Sequence, residues 1–184
     1  KKDSLLYLEL FLHLSDVSNP LRPFEICRSW AWRVLEEFFD QGDEEKRLGV
    51  PVGMLNDRDV VNIPGSQHGF INFLVAPLVF ATIRIFPHLH PLGYQMAAAL
   101  QEWRNVWVAE VRPDSEALAK KDAEVRKVAV TAEELRMRCI KVNHNASMNS
   151  AVSGISGISR RNSRSSRVSH VSVGLVDRFR PSVR

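Results

Sequence analysis

"FEICRSWAWRVLEEFFDQGDEEKRLGVP", Phe24 to Pro51, is the stretch that sets the fold class. Trp30, Val34, Leu35, Phe38 and Phe39 recur at three- and four-residue intervals, the spacing that lines one face of a helix. Gly42 offers one stop, but Glu44 to Arg47 can carry the helix onward along a charged face. Gly49 and Pro51 are firmer stops. The aromatic stripe Trp30, Phe38, Phe39 reads first as core packing; one member can line a pocket, and spacing does not say which.

Upstream, Leu5, Leu6, Leu8, Leu10, Phe11, Leu12 and Leu14 form a nearly all-round apolar segment. Period alone does not separate helix from strand in so short a run. Its leucines, and the lack of β-branched residues, favour a buried helix. Pro20 and Pro23 interrupt it. Downstream, a polar connection runs through Asp57 and Asp59 to Pro64. "SQHGFINFLVAPLVFATIRIF" then reads as two apolar helical pieces that break near Pro77. Leu92, Met96, Ala99, Leu100, Trp103, Val106 and Trp107 mark another helix stripe, closed by Pro113. Charged, alanine-rich residues from Ser115 to Val142 read as amphipathic helix, with Thr131 and Glu134 as a capping box inside it. Nothing resembles a run of alternating strands, and the predicted class is all-α.

Of the 184 residues, 45% are hydrophobic and 25% charged, the balance of a globular protein with a real core. The two cysteines, Cys27 and Cys139, make neither a disulfide framework nor a metal knuckle. The longest uncharged apolar run, Phe73 to Ile83, is short for a bilayer span. With Lys1 first and an apolar pattern running by Leu5, the chain reads as a fragment or cut-out domain. No signal-peptide pattern is visible, and the expected location is cytoplasmic, with membrane association through upstream segments left open.

Charge is uneven. From Asn143 onward there are seven arginines and one acid, Asp177, and eleven of the last 42 residues are serine. Such a segment buries too little apolar surface to offset ordering entropy and is expected to be disordered. Its basic charge suits nucleic acid or anionic lipid, but no aromatic residue interleaves with the arginines before Phe179; no nucleic-acid partner is expected. "RRNS", Arg160 to Ser163, makes Ser163 a phosphorylation candidate for a basic-directed protein kinase.

Candidate chemistry lies in two places. In "HLSDVSNP", His13 and Asp16 share a helix face. A carboxylate there suits a hard cation, or it bonds the turn amides at Ser18 and Asn19. In "SQHGF", Gln67 and Phe70 point the same way from a helix. An amide has donors and an acceptor for a purine edge and a ring stacks on its face, or the pair is a capped helix start with Phe70 in the core.

Taken in order, "HLSDVSNP", Trp30, "EEFFDQGDEEKRLGVP", "SQHGFINFLVAPL" and "EWRNVW" resemble the C-terminal part of the catalytic domain of class I cyclic nucleotide phosphodiesterases, from about Leu5 to Val111. That resemblance implies a compact multi-helix HD-type domain. It implies hydrolysis of 3',5'-cyclic nucleotide to the 5'-monophosphate at two divalent cations, zinc and magnesium or manganese. By position Asp16 matches a metal-ligand aspartate, Gln67 the purine-selective glutamine and Phe70 the stacking ring. Val34 matches the opposing apolar wall, and Asn19 a position near the base that leans slightly towards cAMP. The family's H-N-x-x-H and H-D motifs, with the proton-donating histidine, do not occur in these residues, and His68, His88, His90, His144 and His170 do not replace them.

The organisation expected is therefore 1–113 as the C-terminal portion of the catalytic domain, 114–142 as a helical extension, and 143–184 as a tail. The chain alone is not expected to hydrolyse substrate, and helices supplied from upstream would cover apolar surface that it leaves open. The upstream part of the domain is a further expected partner, and a dimer is compatible with the reading. The alternatives are a pseudoenzyme that binds cyclic nucleotide without cleaving it and a helical interaction module.

Overall fold

The computed structural model describes residues 2–156, with side chains described over 3–141. Ser163 and the arginines around it lie outside the described residues. The chain divides into a first unit, Lys1–Asn145, and a remainder beginning at Ala146.

Among the described residues every regular element is helical and no strand occurs: α1 (Lys2–Asp16), α2 (Phe24–Leu48), α3 (Ile63–Phe70), α4 (Ala76–Ile85), α5 (His90–Val111) and α6 (Ser115–Ser156). Short 3-10 turns, Asn19–Leu21 and Pro87–Leu89, join α1 to α2 and α4 to α5. α5 is the centre of the first unit. It packs against α2, α3, α4 and the Asn19–Leu21 turn, and buries Met96, Ala99, Leu100, Trp103 and Trp107 at the spacing read from the sequence. α6 adds Val125, Val128, Ala132 and Leu135 to the same core.

α1 forms, but it is not the buried helix expected. Leu5, Leu6, Leu8 and Leu12 are 61–67% exposed, and only Leu14 enters the core. Tyr7 and Phe11 meet Phe86 at the end of α4, with ring centroids 5.7 and 5.0 Å apart. The helix turns one side to α4 and leaves the other uncovered by the described residues.

α2 ends where its glycine and proline direct. Gly49 adopts φ 67°, and its N–H caps the carbonyls of Glu45 and Lys46. Gly42 does not stop the helix. It sits buried inside α2, where a Cβ would lie 1.9 Å from the carbonyl oxygen of Asn56. The glycine is needed for the close approach of the following loop.

The expected break at Pro77 does not occur. Residues Ile63–Ile85 form one continuous helical run, with a π-helical segment at Ile71–Val75 just before the proline. Pro77 has no N–H to donate and its ring crowds the preceding turn. Widening that turn to i→i+5 spacing removes the conflict without ending the helix. By length and hydropathy this helix would qualify as a membrane span. Its inner face instead belongs to the core: Ile71, Val75, Val79 and Ile83 are at most 1% exposed, and the polar His68 and Thr82 are buried beside them.

Two further expectations change at α6. The helix starts behind Asp114, whose Oδ1 accepts from the N–H of Ala117 at 2.8 Å. Thr131 forms no capping box; its hydroxyl donates to the carbonyl of Lys127 at 2.8 Å inside an unbroken helix. α6 also continues past the composition change at Asn143, as far as Ser156. Extending an existing helix fixes one residue per hydrogen bond, which is far easier than nucleating a new one.

Candidate functional site

Asp16 is the last residue of α1. The chain then turns through Ser18 and Asn19, and the fixed φ of the buried Pro20 starts the 3-10 turn that feeds α2. Backbone carbonyls answer two of the amides here: Val17 N–H bonds His13 O at 3.3 Å and Ser18 N–H bonds Ser15 O at 3.2 Å. The Asp16 carboxylate caps no amide among the described residues. It is exposed and makes no hydrogen bond or ion pair with the described residues.

Asp16 opens onto a groove of about 490 Å³. Asn19 shares its polar end with Asp16. Ile26, Trp30 and Val34, one turn apart along α2, form its apolar wall. Three residues singled out from the sequence, Asp16, Asn19 and Val34, thus converge from α1, the 3-10 turn and α2. His13 is exposed and does not line the groove.

Gln67 and Phe70, on α3, do not line this groove. The helix start is capped by Asn62, whose Oδ1 accepts from Gly65 N–H at 2.8 Å, not by Ser66. Phe70 is half-buried and packs against the core. Gln67 is 8% exposed, yet its side-chain amide makes no hydrogen bond to the described residues. It keeps its donors and acceptor available.

The structure corrects the reading of α2. Its core face is Cys27, Ala31, Leu35 and Phe39, whereas Trp30 and Val34 are 51% and 40% exposed. Ile26, Trp30 and Arg22 are groove residues that the sequence reading did not assign. The signal was present as a second apolar stripe, Ile26–Trp30–Val34, beside the first. A helix with one buried face needs only one such stripe.

The acidic stretch after that stripe is a clasp for the loop at 50–62. The Glu45 carboxylate accepts from Gly53 N–H at 2.8 Å and from the Asn56 amide at 3.1 Å, and Gln41 braces it at 2.7 Å. These bonds, the Gly53 N–H first, hold its carboxyl below the usual range. Lys46 bonds Asp57 at 2.7 Å and Asp59 at 3.0 Å. Arg58 reaches back to Glu36, Asp40 and Asp43, with its guanidinium 5.4 Å from the Phe39 ring centroid. "DQGDEE" thus works as a structural fastening.

Among the described residues no group of three or more His, Cys, Asp or Glu side chains is placed to hold a metal ion. Asp16 supplies one carboxylate, and one carboxylate does not hold a pair of cations.

A groove with an unengaged carboxylate at one end and an apolar wall at the other is suited to a polar ligand with a flat apolar part. The sequence model of the 3'5'-cyclic nucleotide phosphodiesterase family matches residues 1–96. The chain belongs to that family. Among its relatives, a probable 3',5'-cyclic-AMP phosphodiesterase of Caenorhabditis elegans is 43% identical over 76 residues, 41% of this chain and 11% of the relative. A probable 3',5'-cyclic phosphodiesterase of the same organism is 38% identical over 103 residues, 55% of this chain and 13% of the relative. The high affinity cAMP-specific and IBMX-insensitive 3',5'-cyclic phosphodiesterase 8 of Drosophila melanogaster is 34% identical over 121 residues, 65% of this chain and 13% of the relative. The chain thus spans only 11–13% of the length of these relatives. Both the groove and the clasp fall inside the matched residues, whereas α6 lies beyond them.

Proposed function

We propose that this chain forms part of the substrate site of a 3',5'-cyclic nucleotide phosphodiesterase. In the intact protein that enzyme hydrolyses cyclic nucleotide to the 5'-monophosphate, with cAMP slightly favoured over cGMP. The observation that carries the reading is the convergence of Asp16, Asn19 and Val34 on one groove. Asp16 contributes a carboxylate to a divalent-cation centre whose other ligands come from chain not present in these residues. Val34, with Trp30, offers an apolar wall to the base, and Asn19 carries the lean towards adenine. Gln67, with its amide uncommitted, grips the purine edge, and Phe70 stacks on its face. These two join the site when the remaining helices of the domain complete it. The names of two of the three relatives specify cAMP, which supports the adenine preference.

Asp16→Ala in the intact protein tests this directly. Losing a metal-ligand carboxylate is expected to reduce hydrolysis of both cyclic nucleotides by at least about 100-fold, more than supporting groups around a metal usually contribute. Gln67→Ala should weaken cyclic nucleotide binding roughly tenfold, the worth of one or two hydrogen bonds. Undiminished hydrolysis by Asp16→Ala would overturn the assignment. Unchanged binding by Gln67→Ala would favour a helical interaction module.

A further inference from the structure

A separate concavity of about 280 Å³ lies between α3 and α6, floored by Trp107 of α5. It shares no lining residue with the Asp16 groove. His68 enters it from α3 and is 1% exposed. Neither ring nitrogen has a hydrogen-bond partner among the described residues. The carboxylate of Glu124 stands 3.6 Å from Nδ1, outside hydrogen-bond range. Burial, helped by the charge of Lys121, keeps this imidazole neutral, with its pKa pushed down to about 4. A neutral imidazole carries one N–H and one lone pair, and both are unanswered here.

The opposite wall is cationic. Lys120 and Lys121 project from the early turns of α6, and the Lys121 ammonium rests 4.8 Å from the Trp107 ring centroid. No carboxylate among the described residues lies within ion-pair distance of Lys121, and desolvation lowers its pKa. Glu124 is the opposing charge. Lysines outnumber it, and a cation would find only His68 and Glu124 as donors while facing both ammonium groups. Phe73, 69% exposed, places a flat apolar ring at the mouth.

We propose that this pocket binds a small organic oxyanion that carries one flat ring. Lys120 and Lys121 hold the oxyanion, Phe73 covers the ring, and His68 makes the orienting hydrogen bond from the buried end. The volume lies just below the usual range for ligand sites, which suits a one-ring ligand.

The test uses the full 184-residue chain, titrated with phenyl phosphate, benzoate, inorganic phosphate, phenol and zinc chloride, with NMR following the His68 ring and the Lys121 and Trp107 signals. Saturable binding of phenyl phosphate or benzoate is expected, at least about tenfold tighter than inorganic phosphate or phenol, with shifts at His68; the tighter of the two defines the head group. Lys121→Gln should weaken that binding about tenfold, the effect of one charge-assisted hydrogen bond, and Lys120→Gln is the second variant should the first unfold. Equal binding of inorganic phosphate, no saturation by either ring oxyanion, indifference to both lysine substitutions, or tighter saturation of His68 by zinc would each overturn the proposal. The readout is binding, so it stands or falls independently of hydrolysis at the Asp16 groove.

Discussion

The clasp and the groove lie on the same helix, α2, and use similar residues in opposite ways. In the clasp, Glu45, Lys46 and Arg58 each find partners in the chain, and loop 50–62 is fastened by them. In the groove, Asp16 and Asn19 offer polar side chains that no described residue engages, and Trp30 and Val34 leave apolar surface open. Polar groups answered within the chain stabilise it. Those left unanswered beside open apolar surface are available to a ligand.

The sharpest break between the regions is Asp16→Ala. Hydrolysis by the intact protein should fall at least about 100-fold, while the melting temperature stays within experimental error, as expected for an exposed and unpaired side chain. A clear loss of melting temperature would place Asp16 with the clasp, as a structural residue.

Acid should act on neither region first. His68 has its pKa lowered from 6.5 to about 4, so between those values the unfolded chain binds the proton more readily. Its contribution is complete above pH 6.5 and disappears as the pH falls to about 4, a loss of at most about 3 kcal/mol. Denaturant melts from pH 7 to 4 should show this slope, and His68→Gln should flatten it. A slope that survives the substitution would assign the acid sensitivity elsewhere.

Gly42→Ala is next. The new Cβ would run into the Asn56 backbone, and overpacking of this kind typically destabilises by about 1–3 kcal/mol. Chemical denaturation measures it, with amide exchange in loop 50–62 rising at the same time. Glu45→Gln should have the smallest effect. The loop keeps its other ion pairs, so exchange at Gly53 and Asn56 should quicken while global stability falls less than for Gly42→Ala. Equal effects from the two substitutions would mean that Glu45 alone fastens the loop.

Much of this was legible in the sequence. The helix stripes of α2 and α5 are read from spacing, and Gly49 and Pro113 mark ends correctly because capping and breaking act over a single turn. The motif order from "HLSDVSNP" to "SQHGFINFLVAPL" pointed to the family, and Asp16, Asn19 and Val34 do share a groove. Trp30 was left undecided between core and pocket because an apolar stripe does not declare whether protein or ligand covers it. Pro77 was misread because a π turn depends on whether packing on both sides holds the helix together across the proline.

The sequence by itself determined the all-helical class, the main helix stops and the family, since each depends on spacing and backbone chemistry within short stretches. Tertiary structure alone decided which face of α2 is core, why position 42 is glycine, and that Gln67 and Phe70 do not line the Asp16 groove. Those outcomes depend on which distant segments remove a side chain from water. No local pattern carries that information.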